Sequence, residues 1–180
     1  MNNRLTNRIT RHNSVYLHSE FKDKLKNYGY SLVQTMGDGN CLFRALSYQL
    51  KSTESDHARY RNDLCDYLEC YKNYFLSFNV IDEIDNFENL DEDKLVLHKK
   101  RKFDEYVISM RKDGVYADGI CLDGISMMLK KNVTVVMVEN NDLITIKMNE
   151  SFSQNLYFFY HDSHYSTIKR HGSSIIIARN

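Results

Sequence analysis

The chain has 180 residues, of which 42% are hydrophobic and 27% are charged. This length and composition are typical of one compact globular domain and exclude disorder along the whole length. Lysine plus arginine and aspartate plus glutamate number 24 each, so the formal net charge is zero. That balance gives no support for a nucleic-acid or membrane-surface partner, and no apolar run approaches the ~20 residues that span a bilayer.

The N-terminal stretch, residues 1–18, carries arginines but no acidic residue and no apolar run long enough for a signal peptide. We expect an exposed arm there, with a transit peptide as the alternative, followed by a single domain over residues 19–180. The cysteines lack a zinc-like spacing and follow no secretion signal, which favours free thiols and an intracellular, most simply cytoplasmic, location. They are Cys41, Cys65, Cys70 and Cys121.

Apolar spacing predicts helices in the first two thirds of the chain. A helix is expected over Ser19–Asn27 and a short extended piece over Ser31–Thr35. After the turn Gly37–Asn40, apolar residues recur every three or four positions, which predicts a helix that begins near Cys41 with Asn40 as N-cap. Further predicted elements are helices over His57–Phe78, Phe103–Met110 and Asp118–Lys131, with a solvated acidic segment over Ile81–Lys94.

The last third of the chain changes to strand periodicity. Val133–Val138 and Leu143–Met148 flank the sequence Glu139-Asn140-Asn141-Asp142, which predicts a hairpin turn. Three more strands are predicted over Leu156–Tyr160, His164–Lys169 and Ser174–Ala178. Helices followed by strands indicate an α+β or α/β domain with a small, mostly antiparallel sheet.

Cys41 combines two features of a reactive thiol. It would lie in the first turn of a helix, where unpaired N–H groups and the helix dipole lower a thiol's pKa. Gly37 and Gly39 let the backbone turn sharply, so that N–H groups from Asp38 to Cys41 can face an oxyanion. The alternative is a buried cysteine that acts only as a small apolar side chain.

A base for this thiol has to come from the histidines, because a thiol nucleophile needs a fixed imidazole within reach. His164 and His161 flank the entry to a predicted strand, a rigid element, and His164 is the preferred base. The same pair could suggest a metal site, but no third ligand is evident in the sequence, so no metal is expected. The other histidines lie in the arm or in polar surroundings: His12, His18, His57, His98 and His171.

The run Gly37-Asp38-Gly39-Asn40-Cys41-Leu42-Phe43-Arg44-Ala45 resembles the signature of the ovarian-tumour (OTU) cysteine proteases. Residues from Tyr106 to Asp118 resemble the family's middle block, although Tyr116 stands where the family often has tryptophan. His164-Tyr165-Ser166-Thr167-Ile168 resembles its last block, so the resemblance covers roughly Tyr30 to Ile168. It implies a papain-like α+β fold with the sheet packed between helices, and hydrolysis after the C-terminal glycine of ubiquitin or a ubiquitin-like modifier.

The resemblance also implies roles for individual residues. Cys41 is the nucleophile and His164 the base, with a thiolate–imidazolium pair, while Asp38, Gly39 and Asn40 shape the turn and the oxyanion site. Many family members orient the imidazole with Asn or Asp where this chain has Ser166. Other orienting candidates are Asp162, Asp23 and Asp38 itself. Candidate substrate-binding residues are Asp113, Tyr116, Asp118 and Asp123, and the acidic segment Ile81–Lys94 is a further candidate.

We therefore expect a monomeric deubiquitinase that binds ubiquitin, polyubiquitin chains or a ubiquitin-like protein, with no cofactor and neither a nucleic-acid nor a membrane partner. Two alternatives stay open at this point. One is a catalytically inactive ubiquitin-binding module, and the other is a polyprotein-processing cysteine protease.

Overall fold

The structure is a computed structural model that describes residues 21–77 and 91–171. The predicted arm over residues 1–18, the strand Ser174–Ala178 and the acidic segment up to residue 90 lie outside these ranges. The helices are α1 (21–27), α2 (Cys41–Lys51), α3 (His57–Cys70), α4 (Lys72–Ser77), α5 (Glu92–Met110) and α6 (Gly119–Leu129). The strands are β1 (Tyr30–Val33), β2 (Asn132–Glu139), β3 (Asp142–Met148), β4 (Asn155–His161) and β5 (His164–Arg170).

The strands form one five-stranded sheet in the order β1-β5-β4-β2-β3. All neighbouring pairs are antiparallel except β2 and β4, which run parallel. Strand residues alternate between two cores, as the period of two requires. Val135 and Phe158 join the larger core with the helices α2 to α6, whereas Val136 and Phe159 pack with Leu25 of α1. The sheet therefore lies between helices, and the predicted α+β class is confirmed.

Two tight hairpin turns fix the register of the sheet. The turn between β2 and β3 has Asn140 and Asn141 at φ 49° and 67°, as predicted for a two-residue turn of this composition. The turn between β4 and β5 has Asp162 and Ser163 at φ 49° and 57°. This second turn places His164 at the first position of β5.

The predicted helix His57–Phe78 is wrong in one respect, because the chain breaks at Tyr71 into α3 and α4. After the break Phe75 is 2% exposed and its ring stacks on Phe103 of α5 at a centroid distance of 6.3 Å. Burying a phenylalanine is worth roughly 1.5–3 kcal/mol, more than the ~1 kcal/mol of one backbone hydrogen bond. Tertiary packing thus overrides the local helical pattern.

Helix α5 is longer than predicted, since it begins at Glu92 rather than at Phe103. The N-terminal part was not predicted because its apolar residues, Leu95, Val96 and Leu97, are consecutive rather than spaced at helical intervals. The Asp91 side chain caps this end by accepting the N–H of Lys94 at 3.1 Å. Only three residues of the helix are buried, namely Phe103, Val107 and Met110.

Candidate active site

Cys41 is the first residue of α2 and is 2% exposed. Asn40 occupies the N-cap position as predicted, but its side chain does not cap the helix. Its Oδ1 atom instead accepts the N–H of Gly114 at 3.1 Å and an N–H of Arg61 at 2.8 Å. Asn40 therefore ties the turn before Cys41 to the connection between α5 and α6.

The fold brings the start of β5 to this cysteine. The N–H of Tyr165, the residue after His164, donates to Cys41 Sγ at 3.4 Å although the two lie 124 residues apart. The ring of His164 faces the turn that leads into α2, because a Cβ built on Gly37 would lie 3.7 Å from its Nδ1 and Cε1 atoms. The predicted nucleophile and the predicted base thus belong to one site.

The pKa of the Cys41 thiol does not follow from its helix position alone. Burial is the largest effect and raises this pKa, while N–H groups of Tyr165, Leu42 and Cys41 itself lower it. The charge of Asp38 raises it further. The net direction is upward, opposite to the expectation from the helix terminus, because the helix-terminus effect is smaller than the cost of a buried thiolate.

The carboxylate of Asp38 forms a salt bridge with Arg44, which lies near the start of α2. The guanidinium donates to both carboxylate oxygens, with Nη2 at 2.5 Å from Oδ2 and Nε at 3.1 Å from Oδ1. Oδ1 also accepts the N–H of Asn40 at 3.1 Å. The bonds from Arg44 hold the pKa of Asp38 well below its usual range. Both oxygens are therefore engaged in shaping the turn, and the N–H of Asn40 is already donated.

Gly39 and Gly114 are where the turn and the α5–α6 connection touch. Gly39 has φ +84°, and a Cβ there would come within 1.9 Å of the Gly114 carbonyl oxygen. Gly114 has φ +78°, and its own Cβ would lie 3.3 Å from the Asp38 carbonyl oxygen. Both backbones need glycine for the left-handed conformation, and Gly39 also needs it for close approach.

Arg61 of α3 is a residue of this site that the sequence analysis missed. It is 2% exposed, and its guanidinium lies 4.3 Å from the centroid of the Phe43 ring. It donates to four acceptors around the turn, which are Met110 O, Gly39 O, Asn40 Oδ1 and Val115 O. The signal was available, because Arg61 precedes Leu64, Cys65 and Leu68 by three, four and seven positions and so shares their buried face.

The candidates for orienting the base lie at different places. Ser166 is 1% exposed, and its Oγ has no hydrogen-bond partner among the described residues. Asp162 is largely exposed in the β4–β5 turn, and its Oδ2 lies 3.3 Å from Nε2 of His161. Asp23 is exposed on α1. The His161 ring packs on Phe21 at a centroid distance of 4.5 Å.

The candidates for substrate binding separate into structural and surface residues. Asp118 caps α6, since Oδ1 accepts the N–H groups of Ile120 and Cys121 and the hydroxyl of Tyr106 at 2.9–3.2 Å. Asp123 is half-buried, and Asn149 donates to it at 3.5 Å. Asp113 and Tyr116 are exposed on the connection that contacts the turn through Gly114.

Two further features concern only residues 21–77 and 91–171. No three His, Cys, Asp or Glu side chains are grouped there as a metal site. No helix in the same ranges has the length and apolarity needed to cross a membrane. All four cysteines are free, and Cys70 is the exposed one.

A cysteine at a helix N-terminus that contacts a strand beginning with a histidine is the arrangement of a papain-like thiol protease domain. A family model described as OTU-like cysteine protease matches residues 36–171. The chain belongs to the OTU family.

Relatives and solved structures agree with this assignment. The chain is 25% identical over 152 residues to the Arabidopsis thaliana OVARIAN TUMOR DOMAIN-containing deubiquitinating enzyme 7, which covers 84% of this chain and 36% of the relative. The chain thus spans about a third of that relative's length. The OTU domain of OTUD1 has a TM-score of 0.66 at 19% identity, covering 84% of this chain and 93% of that one. The Hazara virus OTU bound to ubiquitin has a TM-score of 0.57 at 15% identity, covering 80% and 83%.

Proposed function

We propose that the protein is a deubiquitinating thiol isopeptidase that hydrolyses the bond after the C-terminal glycine of ubiquitin or a ubiquitin-like modifier. One observation carries the proposal: Cys41 Sγ accepts the N–H of Tyr165 at 3.4 Å, so the thiol contacts the strand that begins with His164. Membership of the OTU family supports it, as does a relative whose name describes a deubiquitinating enzyme. The fold shared with an OTU domain bound to ubiquitin supports the choice of substrate.

In this mechanism the resting site holds a neutral thiol, because burial raises the pKa of Cys41. His164 takes the proton from Sγ as the sulfur attacks the carbonyl carbon of the scissile glycine. The negative charge that develops on the carbonyl oxygen needs preorganised N–H donors. The N–H of Asn40 is donated to Asp38, so we assign this task to the N–H of Cys41, which lies close enough to Sγ to lower its pKa.

The second half of the reaction uses the same base. The imidazolium of His164 gives its proton to the departing lysine amine, which breaks the isopeptide bond and leaves a thioester on Cys41. His164 then removes a proton from a water molecule that attacks the thioester carbonyl carbon. The modifier leaves with a free carboxylate, and the Cys41 thiol is restored.

The substrate groove is proposed to follow the connection between α5 and α6. Asp113 and Tyr116 are exposed there, beside the turn that carries Cys41. By the family resemblance the incoming tail carries arginines, and an exposed carboxylate near its path favours binding. We propose that the protein acts as a monomer on ubiquitin or polyubiquitin chains in the cytoplasm.

The test is reaction with a ubiquitin probe that carries an electrophile at its C-terminus. We expect wild type to form a covalent adduct, Cys41→Ala to form none and His164→Ala to react at least about a hundredfold more slowly, because the base is lost. Cys70→Ala is the matched control, since it removes the exposed thiol and should leave the adduct intact.

A folded wild-type sample that forms no adduct, or an adduct that persists in Cys41→Ala, would contradict the proposal. Probes built on other ubiquitin-like modifiers, run in parallel, separate a different modifier from an inactive ubiquitin-binding module. A module of that kind binds ubiquitin without reacting with any of the probes.

A further inference from the structure

The His164 imidazole, the base of the proposed site, needs a group that fixes its orientation. The residue at the position expected to supply that group, Ser166, does not do so. Ser166 Oγ is buried and has no hydrogen-bond partner among the residues that the structure describes. Asp162 lies against His161 instead. The orienting group therefore has to be sought outside the strand that carries His164.

Thr35 contacts the His164 ring from the segment between β1 and the turn. Its side chain is 4% exposed, and its Oγ1 lies 3.3 Å from Nε2 of His164. The same hydroxyl donates to the carbonyl oxygen of Tyr165 at 2.6 Å. Thr35 is thus hydrogen-bonded to the backbone of β5 next to the imidazole that it faces.

These two contacts assign the proton on the ring. A threonine hydroxyl has one hydrogen, and a carbonyl oxygen can only accept, so that hydrogen points to Tyr165. Toward His164 the same oxygen can only accept, which requires Nε2 to carry a proton. The neutral ring then carries its lone pair on Nδ1, on the side that faces Gly37 and the turn into Cys41.

We propose that Thr35 is a positioning residue of the site, whose hydroxyl accepts the Nε2–H of His164 and keeps Nδ1 unprotonated, so that Nδ1 is the nitrogen that acts as base for Cys41. The role in catalysis rests on the proposed function, whereas the tautomer does not. Thr35 makes the same contact with the neutral ring and with the imidazolium, because Nε2 is protonated in both. It carries no charge, so it orients the ring without supplying a counter-ion.

The first test compares Thr35→Val with Thr35→Ser. Valine keeps the shape and removes the acceptor, and we expect kcat on a ubiquitin substrate to fall about tenfold or more with KM nearly unchanged. Serine keeps the hydroxyl and should restore most of the rate. A fall that serine does not rescue, or a valine variant with wild-type kcat, would overturn the proposal.

Thr167→Val is the matched control for lost stability. Thr167 is also fully buried, and its hydroxyl donates to the Ala45 carbonyl oxygen at 2.8 Å. Both valine variants lose one buried hydroxyl-to-carbonyl bond, and urea unfolding should place them at similar stability. Only Thr35→Val should lower kcat. Equal losses of kcat in the two variants would mean that Thr35 acts through stability alone.

The second test does not depend on the substrate. Nitrogen-15 NMR of the His164 ring above its titration should show the Nε2–H tautomer in wild type and in Thr167→Val. Thr35→Val should show a mixture or the Nδ1–H form. A wild-type ring that carries its proton on Nδ1 overturns the assignment whether or not ubiquitin is the substrate. A correct tautomer without a reaction with ubiquitin would instead contradict the proposed function.

Discussion

At the scale of single residues, the site places a thiol where ionisation is unfavourable. Cys41 is almost fully buried, and burial raises its pKa despite three nearby N–H groups. A neutral thiol can react only when its proton moves to the base as the sulfur attacks. This differs from a thiolate–imidazolium pair that is formed in advance.

The pH dependence of alkylation tests this resting state. Because the pKa of Cys41 is raised, the thiolate fraction is small at neutral pH and grows as pH increases. We expect the alkylation rate with iodoacetamide, followed by mass spectrometry of the Cys41 peptide, to rise about tenfold per pH unit from pH 6 to beyond pH 8.5. Free cysteine, which titrates near 8.5, serves as the reference and should level off earlier.

A rate that is already constant between pH 6 and 8 would contradict a neutral resting thiol. It would indicate a thiolate stabilised by a protonated His164. The proposed mechanism would then begin from the ion pair, with the proton already on the ring.

At the scale of elements, the site depends on the contact between the turn before α2 and the connection between α5 and α6. Gly39 is central to this contact, because its backbone lies against the Gly114 carbonyl at a positive φ. The connection carries no helix or strand of its own between Met110 and Gly119. Its position relative to Cys41 is therefore set by contacts rather than by regular structure.

Replacing Gly39 by alanine should disrupt this contact. A Cβ at that position would come within 1.9 Å of a backbone oxygen, and φ +84° is unfavourable for alanine. We expect a loss of about 2–4 kcal/mol in the free energy of unfolding, with strongly reduced reaction of Cys41 with the ubiquitin probe. Urea denaturation measures the first effect.

Gly119→Ala is the matched control, since a Cβ there meets nothing within 4 Å at the first position of α6. Alanine is a better helix former, so this variant should gain about 0.5 kcal/mol and keep its reactivity. A Gly39→Ala variant as stable as Gly119→Ala would show that the turn and the connection are not in contact in solution.

Arg61 stabilises the same contact between the turn and the α5–α6 connection. Its guanidinium donates hydrogen bonds to four oxygen acceptors, two in the turn and two at Met110 and Val115. Arg61→Met keeps the apolar stem but leaves those buried acceptors without their donor. We expect a loss of about 3–5 kcal/mol in the free energy of unfolding by urea denaturation.

Arg59 on the same helix provides the comparison, because its side chain is 70% exposed and pairs only with Asp63 at 3.4 Å among the described residues. Arg59→Met should change stability by less than about 0.5 kcal/mol. If the two substitutions change the free energy of unfolding by similar amounts, the buried hydrogen bonds of Arg61 do not stabilise the contact between the turn and the connection.

At the scale of the whole molecule, sequence reasoning succeeded where one pattern dominates. The apolar spacing after Cys41 and the strand alternation from Val133 onward predicted α2, β2, β3, β4 and β5 within one or two residues. It failed at the break before Phe75, where tertiary contacts decide, and along the N-terminal part of α5, whose apolar residues lack helical spacing. Local periodicity carries no information on which distant surface an element will meet.

The site follows the same division. The turn, the strand entry and the family resemblance predict Cys41 and His164 as the nucleophile and the base, because those features are local. Thr35 contacts His164, which lies 129 positions further along the chain. Arg61 contacts residues that lie between 21 and 54 positions away. The helical spacing of Arg61 indicates only that it faces the core, and Thr35 has no local signature. Only the folded chain reveals which partners the two residues have.

The position of β5 in the sheet determines when the site can assemble during synthesis of the chain. Among the strands that the structure describes, β5 is the last to leave the ribosome, yet it is inserted between β1 and β4. While only the first 163 residues have emerged, a nascent chain holds the thiol without its base, and β1 lacks the neighbour that it pairs with. The thiol and the proposed base therefore come together only when β5 enters the sheet.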